Sequence, residues 1–292
     1  MIEFEKGQVR SADAPRRWPL VPRRPLLALL LCLGACGGEQ EQAPPALPLE
    51  AVAPEPGCRP ELFEGTSFTV CAYDARRERL ELVDGSTLRS LAALEQSLGP
   101  RASAVKFAMN AGMYDEEGRP IGLFVAEGEE MKSLNLRPGS GNFHLLPNGV
   151  FAVDGGGRPS VTPSGTFRKR VPKPRWATQS GPMLLIDGKL HPKFDADGPS
   201  QLIRNGVGVR DESTAFFAIS EEPVSFGRFA RLFRDRLGCR DALYLDGSVS
   251  SLWDPRGQRL DAAAELGPML VVYEDAASSA TSRSSPAPAR SR

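Results

Sequence analysis

Arg204-Asn205-Gly206-Val207-Gly208-Val209, then a break at Asp211-Glu212-Ser213, then Ala215-Phe216-Phe217-Ala218-Ile219: this stretch decides the fold. Two short runs of apolar or alternating residues, separated by turn-forming polar ones, predict paired strands. The same grammar recurs outward from it. Residues 68–73 and 80–83 flank a charged turn, and residues 104–109 stop at Asn110-Ala111-Gly112. Residues 121–126 break at Glu127-Gly128, and 183–186 stop at Asp187-Gly188. Residues 143–146 and 150–153 flank Pro147-Asn148-Gly149, which predicts a hairpin because Asn-Gly accepts positive φ. Helical spacing stands out only at 88–98, ending at Gly99-Pro100, and at 226–237, ending at Gly238. The aromatic stripe Phe226, Phe229, Phe233 of the second helix reads as core. No repeat of 20–50 residues is visible. The expected fold class is α+β: a single strand-rich domain with a mixed or antiparallel sheet and a few helices.

The ends of the chain read differently. Residues 26–33 form an apolar run behind Arg23 and Arg24, too short to span a bilayer, which needs ~20 residues. That pattern predicts a signal peptide over 1–35. Leu33-Gly34-Ala35-Cys36 resembles a bacterial lipobox, so Cys36 is expected to carry lipid; an ordinary cleaved secretory signal is the alternative. Residues 36–56, rich in Gln, Glu, Pro and Ala, read as a tether, and 276–292 as a disordered tail. Residues 57–275 remain, 219 in number, enough for one domain with a substantial core. The expectation is an exported lipoprotein on the periplasmic face of the envelope, touching the membrane only through its anchor. Cys58 and Cys71 then pair in an oxidising compartment or stay as two thiols; Cys239 reads as a buried apolar residue.

Charge excludes one large class of function. The 292 residues hold 36 basic and 36 acidic side chains, and residues 57–275 hold 27 and 29. No broad cationic field exists for nucleic acid. A hydrophobic content of 41% with 25% charged residues describes a folded body rather than a disordered chain. No phosphate-cradling Gly-Lys-Ser/Thr loop, dinucleotide fingerprint, nucleophile elbow or zinc spacing is present. His144, placed in a strand, and His191, before Pro192, both read as structural. Asp195-Ala196-Asp197-Gly198 begins like a calcium loop but lacks the later ligands. Neither cofactor nor metal is expected.

The positive signal is a set of strand ends that stop in polar residues beside glycine: Asn110-Ala111-Gly112, Gln179-Ser180-Gly181, Arg204-Asn205-Gly206 and Asp246-Gly247-Ser248. Strands end in such turns everywhere. Gathered in one domain, an Arg among hydroxyls and free amides also suits a phosphate group.

These residues lie in blocks that resemble the phosphodiester glycosidase family. The blocks are Asn110-Ala111-Gly112-Met113-Tyr114, Pro120-Ile121-Gly122-Leu123, Gly141-Asn142-Phe143, Pro147-Asn148-Gly149-Val150-Phe151, Gln179-Ser180-Gly181-Pro182-Met183, Arg204 to Val209 and Ala242 to Gly247. The resemblance implies hydrolysis of the anomeric C–O bond of a sugar-1-phosphodiester. It maps the family's Asn-Gly motif on Asn110 and Gly112, its Arg on Arg204, and its Asp-Gly loop on Asp246 and Gly247. Asp246 is then the expected carboxylate. Arg204, with Ser180 or Ser248, is the expected phosphate clamp, while Asn110, Asn142 and Gln179 suit sugar hydroxyls. Glu221 and Glu222 are the alternative carboxylates. The chain departs from the family's lysosomal-pathway member after Gly247, where that enzyme carries three glycines before Ser; this bears on substrate identity. A different class of function, a lipoprotein that binds a phospho-glycan without cleaving it, uses the same residues.

Overall fold

The computed structural model describes residues 57–171 and 173–274; the signal, lipidation site, tether and tail expected from the sequence lie outside them. The described chain forms three antiparallel sheets. The first has seven strands in the order Cys58–Phe63, Thr66–Asp74, Thr214–Ser220, Asn205–Val209, Asp241–Tyr244, Met183–Ile186, Lys189–Leu190. The second runs Arg259–Leu260, Leu252–Asp254, Val105–Asn110, Met269–Glu274, Glu78–Val83. The third runs Glu129–Lys132, Phe124–Ala126, Trp176–Ser180, Gly149–Val153, Pro159–Pro163. The strand-rich α+β expectation holds, with every strand pairing antiparallel.

One aromatic contact explains why three sheets make one core. Phe217 of the first sheet meets Phe107 of the second at 5.4 Å and Phe151 of the third at 5.5 Å between ring centroids. All three are fully buried. Such off-parallel rings add to the burial of their large apolar surfaces. Around them pack Met109, Met183, Val207, Leu243 and Leu245, so strand alternation points one face of each sheet at a shared centre.

The hairpin expected over residues 204–219 forms, with Val207 opposite Phe217 and Val209 opposite Ala215. Both helices exist. Ser90 caps the first, Leu91–Leu98, by accepting from the Ala93 N–H at 3.1 Å, and the chain continues past Gly99 as a 3-10 segment, Gly99–Ala104. The second is α-helical over Phe226–Arg231, then widens to a π-turn, Leu232–Arg236, before Gly238 at φ 67°. Its stripe is core: Phe229 and Phe233 lie against the strand at Gly206 and Gly208.

The predicted 143–150 hairpin does not form. Asn142–His144 is a 3-10 turn, so His144 is not on a strand, and its Nδ1 meets the Arg137 carbonyl at 3.0 Å. The buried Asn148 donates from Nδ2 to the Phe143 carbonyl at 2.8 Å, which folds the segment back on itself. Gly149–Val153 pairs instead with Pro159–Pro163 and Trp176–Ser180. The predicted strand 121–126 is shorter too, starting at Phe124.

Cys58 and Cys71 are disulfide-bonded and face each other in register, tying the sheet's edge strand to its neighbour. Closing a short loop of this kind stabilises a domain by roughly 2–4 kcal/mol. Cys58→Ser with Cys71→Ser should lower the unfolding free energy by about that amount in urea titration; an unchanged midpoint would contradict it. Cys239 is buried, and burial pushes its thiol pKa up, so it is not a nucleophile.

Candidate active site

Where strands of different sheets end together, their last backbone groups have no ladder partner and must be satisfied otherwise. Two buried asparagines do this. Asn205, the first residue of its strand, donates from Nδ2 to the backbone carbonyl and Oδ1 of Asn110 at 3.1 and 2.9 Å. Its Oδ1 accepts the Asp246 N–H at 3.0 Å. Asn110, the last residue of its strand, donates to the Asp246 carbonyl at 3.2 Å and accepts the Ser251 N–H at 2.9 Å. From the third sheet, Ser180 Oγ donates to the Leu245 carbonyl at 2.5 Å. Asp246 therefore has its backbone held on both sides by rigid strand ends.

Its carboxylate is free of such ties. Asp246 begins the 3-10 turn Gly247–Val249, and its Oδ1 accepts the Ser248 N–H at 3.2 Å. Gly247 is tucked so close that its N–H donates to the Tyr244 hydroxyl; an added Cβ would overlap that oxygen. The Asp246 side chain is half-buried and makes no ion pair with the described residues. Burial pushes its pKa up to about 6, against the pull of the Ser248 amide. Two phenols feel its charge. Tyr114, whose hydroxyl donates to the Glu265 carbonyl at 2.6 Å, is raised to about 12 by burial first and by Asp246 second. Tyr244 is raised by burial, with Arg204 pulling it down and Asp246 pushing it up. A carboxyl poised near neutrality, exposed on one side and fixed at its backbone, has the properties of a catalytic acid–base or nucleophile.

The other expected residues fall into two groups. Asp246, Ser248 and Asn142 present surface. Asn110, Gln179, Ser180 and Arg204 are buried, so these polar strand ends do not line one open cleft. Gln179 is a staple of the third sheet: its Oε1 accepts from Leu123 and Asn135 amides, and its Nε2 donates to the Asn135 carbonyl and Ser164 Oγ. Gly112 lets its strand end lie against this sheet, since a Cβ there would overlap Thr178 Oγ1 and the Gln179 carbonyl. Its N–H donates to Thr178 Oγ1 at 3.2 Å. The Glu221 carboxylate is taken by Arg259 of the second sheet and Thr69 of the first, and Glu222 accepts the Ser67 N–H, so both acids tie strand starts together. Asp197 in the calcium-like segment pairs with Arg228 and Arg231.

Arg204 is unusual. It has no accessible surface, and its guanidinium lies 3.6 Å from the Phe226 ring centroid and 5.5 Å from that of Tyr244. Nε donates to the Val224 carbonyl and Nη2 to Ser200, while Nη1 has no hydrogen-bond partner among the described residues. No carboxylate of the described residues pairs with it. Burial lowers its pKa. A buried cation without a carboxylate is costly, and here the cost is met by two carbonyls, the Ser200 and Tyr244 hydroxyls and the ring faces.

The sequence profile of the phosphodiester glycosidase family matches residues 103–273, more than half of the chain. The chain belongs to the phosphodiester glycosidase family. The match takes in every strand end of the hub, from Asn110 to Ser251. The "Uncharacterized protein YigE" of Escherichia coli K12 is 34% identical over 213 residues, covering 71% of this chain and 81% of that one. Among solved structures, the catalytic domain of zebrafish N-acetylglucosamine-1-phosphodiester alpha-N-acetylglucosaminidase, auto-inhibited by its pro-peptide, shares the fold. The TM-score is 0.52 at 14% identity, covering 75% of this chain and 82% of that chain.

Within this phosphodiester glycosidase domain, the residues missed from sequence are Asn205, Tyr114 and Tyr244. Tyr244 had a signal: in a strand it shares a face with Asp246, two residues on. Asn205 had a weaker one, as a polar residue between Arg204 and the apolar run it opens.

Proposed function

We propose that this chain hydrolyses the glycosidic bond of a sugar-1-phosphodiester in the cell envelope, with Asp246 as the working carboxylate. The observation that carries the reading is the Asp246 carboxyl itself: half-exposed, unpaired, raised to about 6 and fixed by strand ends of three sheets. Above that value it is ionised and able to attack the anomeric carbon or to activate water. A phosphate leaves as a stable anion, so a strong general acid on the leaving oxygen is dispensable. Arg204 supplies positive charge from behind Tyr244 rather than by contact, offsetting the negative charge that grows on the departing phosphate. Ser248, whose N–H donates to the carboxylate and which is exposed, is assigned the hydroxyl contact to substrate, and the part-exposed Asn142 a contact to a sugar hydroxyl. The zebrafish enzyme's name supports an N-acetylglucosamine-1-phosphodiester as the first substrate to try. Export and a lipid on Cys36 would place this activity at the periplasmic face.

The test is product release from a chromogenic sugar-1-phosphodiester and from UDP-N-acetylglucosamine, with Asp246→Asn and Ser248→Ala beside the parent chain. Release lost in Asp246→Asn and reduced severalfold in Ser248→Ala is expected. Tight binding with no product from any such substrate would favour a phospho-glycan-binding module instead.

A further inference from the structure

Formal neutrality hides a strongly uneven surface. Residues 127–137 and 168–175 together hold seven basic and three acidic side chains, in a chain whose totals are equal. The fold brings the two segments together. Glu129–Lys132 is the outer strand of the third sheet, exposed at every residue. Arg168 of the helix Ser164–Arg170 pairs with Glu130 at 2.6 Å, and Arg175 pairs with Glu127 at 2.7 Å. Beneath them Leu134 and Val171 pack on one apolar cluster with Phe167. These ties neutralise Arg168 and Arg175 only. Lys132, Arg137, Lys169 and Lys173 are exposed and have no ion-pair partner among the described residues.

Apolar side chains stand among these cations. Of the six large hydrophobic side chains that are most exposed, Met131 and Leu136, each at 55%, belong to this region. A cavity of about 420 Å³ runs between Ile121, Met131, Lys132, Leu136 and Arg137, with no acidic residue in its lining. Glu129, Glu130 and Lys132 give this short edge the charge that edges usually carry, and Met131 and Leu136 stand exposed beside them as apolar side chains with nothing covering them among the described residues.

We propose that this face docks on an anionic bilayer surface, with Lys132, Arg137, Lys169 and Lys173 at the headgroups and Met131 and Leu136 entering the interface. Both halves of the patch are then used. A soluble anionic polymer would satisfy the cations and leave the apolar side chains in water, whereas a lipid surface takes both. The inference does not depend on the catalytic reading. It concerns the outer strand of the third sheet and the helix beside it, away from the Asp246 carboxyl, to which Asn135, Gln179 and Ser180 connect it through hydrogen bonds.

The test uses the chain from residue 36 onward carrying Cys36→Ser, so that neither an acyl chain nor the apolar run at 26–33 contributes, sedimented with vesicles. Binding to vesicles containing phosphatidylglycerol, falling with salt, and none to pure phosphatidylcholine is the expected result. Near such a surface each cation contributes about fivefold in affinity, so Lys132→Glu with Arg137→Glu should weaken binding more than tenfold. Met131→Ser with Leu136→Ser should weaken it severalfold, with thermal unfolding unchanged in both variants. No binding to phosphatidylglycerol vesicles at low salt overturns the proposal. So does binding that survives the charge reversals, or binding indifferent to the Met131 and Leu136 changes, which marks a purely ionic surface.

Discussion

Asp246→Asn should reduce kcat/KM for a sugar-1-phosphodiester by roughly 10³-fold or more while leaving the chain folded. The substitution keeps the side-chain oxygen that accepts the Ser248 N–H and leaves both backbone ties of Asp246 in place. Only the ionisable carboxylate is lost. The same change should make the protein more stable near neutral pH. Burial raises the carboxyl from its ordinary 3.8 to about 6, so the folded state holds that proton more tightly than the unfolded one. The penalty for ionising it is absent below the ordinary pKa, grows as pH rises from there, and is complete above about 6. It amounts to about 3 kcal/mol at the upper limit, reduced by solvent screening on the exposed side of the carboxyl. Asp246→Asn should therefore unfold at higher urea than the parent at pH 8 and at the same urea near pH 3. Equal stability at both pH values would contradict the burial argument, and full activity would remove Asp246 from the chemistry. In the parent chain, activity should rise with pH through about 6 on its acid side, because the ionised form is the working one.

Asn110→Leu should have the largest structural effect. It leaves the buried Ser251 N–H without a partner and removes one of two partners from the Asn205 Nδ2 and from the Asp246 carbonyl, which keep the Asn110 backbone carbonyl and the Ser250 hydroxyl. Leaving a buried polar group unpaired costs about 1–3 kcal/mol, so a total of roughly 2–4 kcal/mol is expected once the two weakened groups are added. Urea titration should show a lower midpoint with an unchanged slope. Because Asp246 loses one of its two backbone ties, kcat should fall along with stability, even where the protein is still folded. A loss below about 1 kcal/mol would mean that water or a rearranged neighbour replaces the amide.

Much of this architecture is legible in the chain. Val207, Val209, Phe217 and Ile219 alternate cleanly, and the Asp211-Glu212-Ser213 break marks their hairpin, because local pattern and local turn chemistry agree there. Agreement failed at Pro147-Asn148-Gly149. The dipeptide signals a turn, but the Asn148 amide is drawn to the Phe143 carbonyl and the strand finds partners elsewhere. The polar strand ends were legible as a cluster and not as a division of labour. Asn110, Gln179 and Ser180 look like ligand-binding groups in sequence. In the fold they satisfy backbone groups left over where three sheets meet, and that meeting point is set by contacts such as Phe107–Phe217–Phe151 that no local window contains. Arg204 was expected to touch phosphate directly, yet it is sealed under Phe226 and Tyr244. The cationic face is not legible in the sequence for another reason: its two segments lie some thirty residues apart, and summed charge averages them away.

The central claim is that water attacks carbon rather than phosphorus, and the position of an oxygen atom tests it directly. Hydrolysis of a sugar-1-phosphodiester in oxygen-18 water, with products read by mass spectrometry, should place the label on the anomeric hydroxyl of the released sugar and none on the phosphate. Label on the phosphate would show P–O cleavage, and the assignment of Asp246 to glycosidic bond hydrolysis would fall.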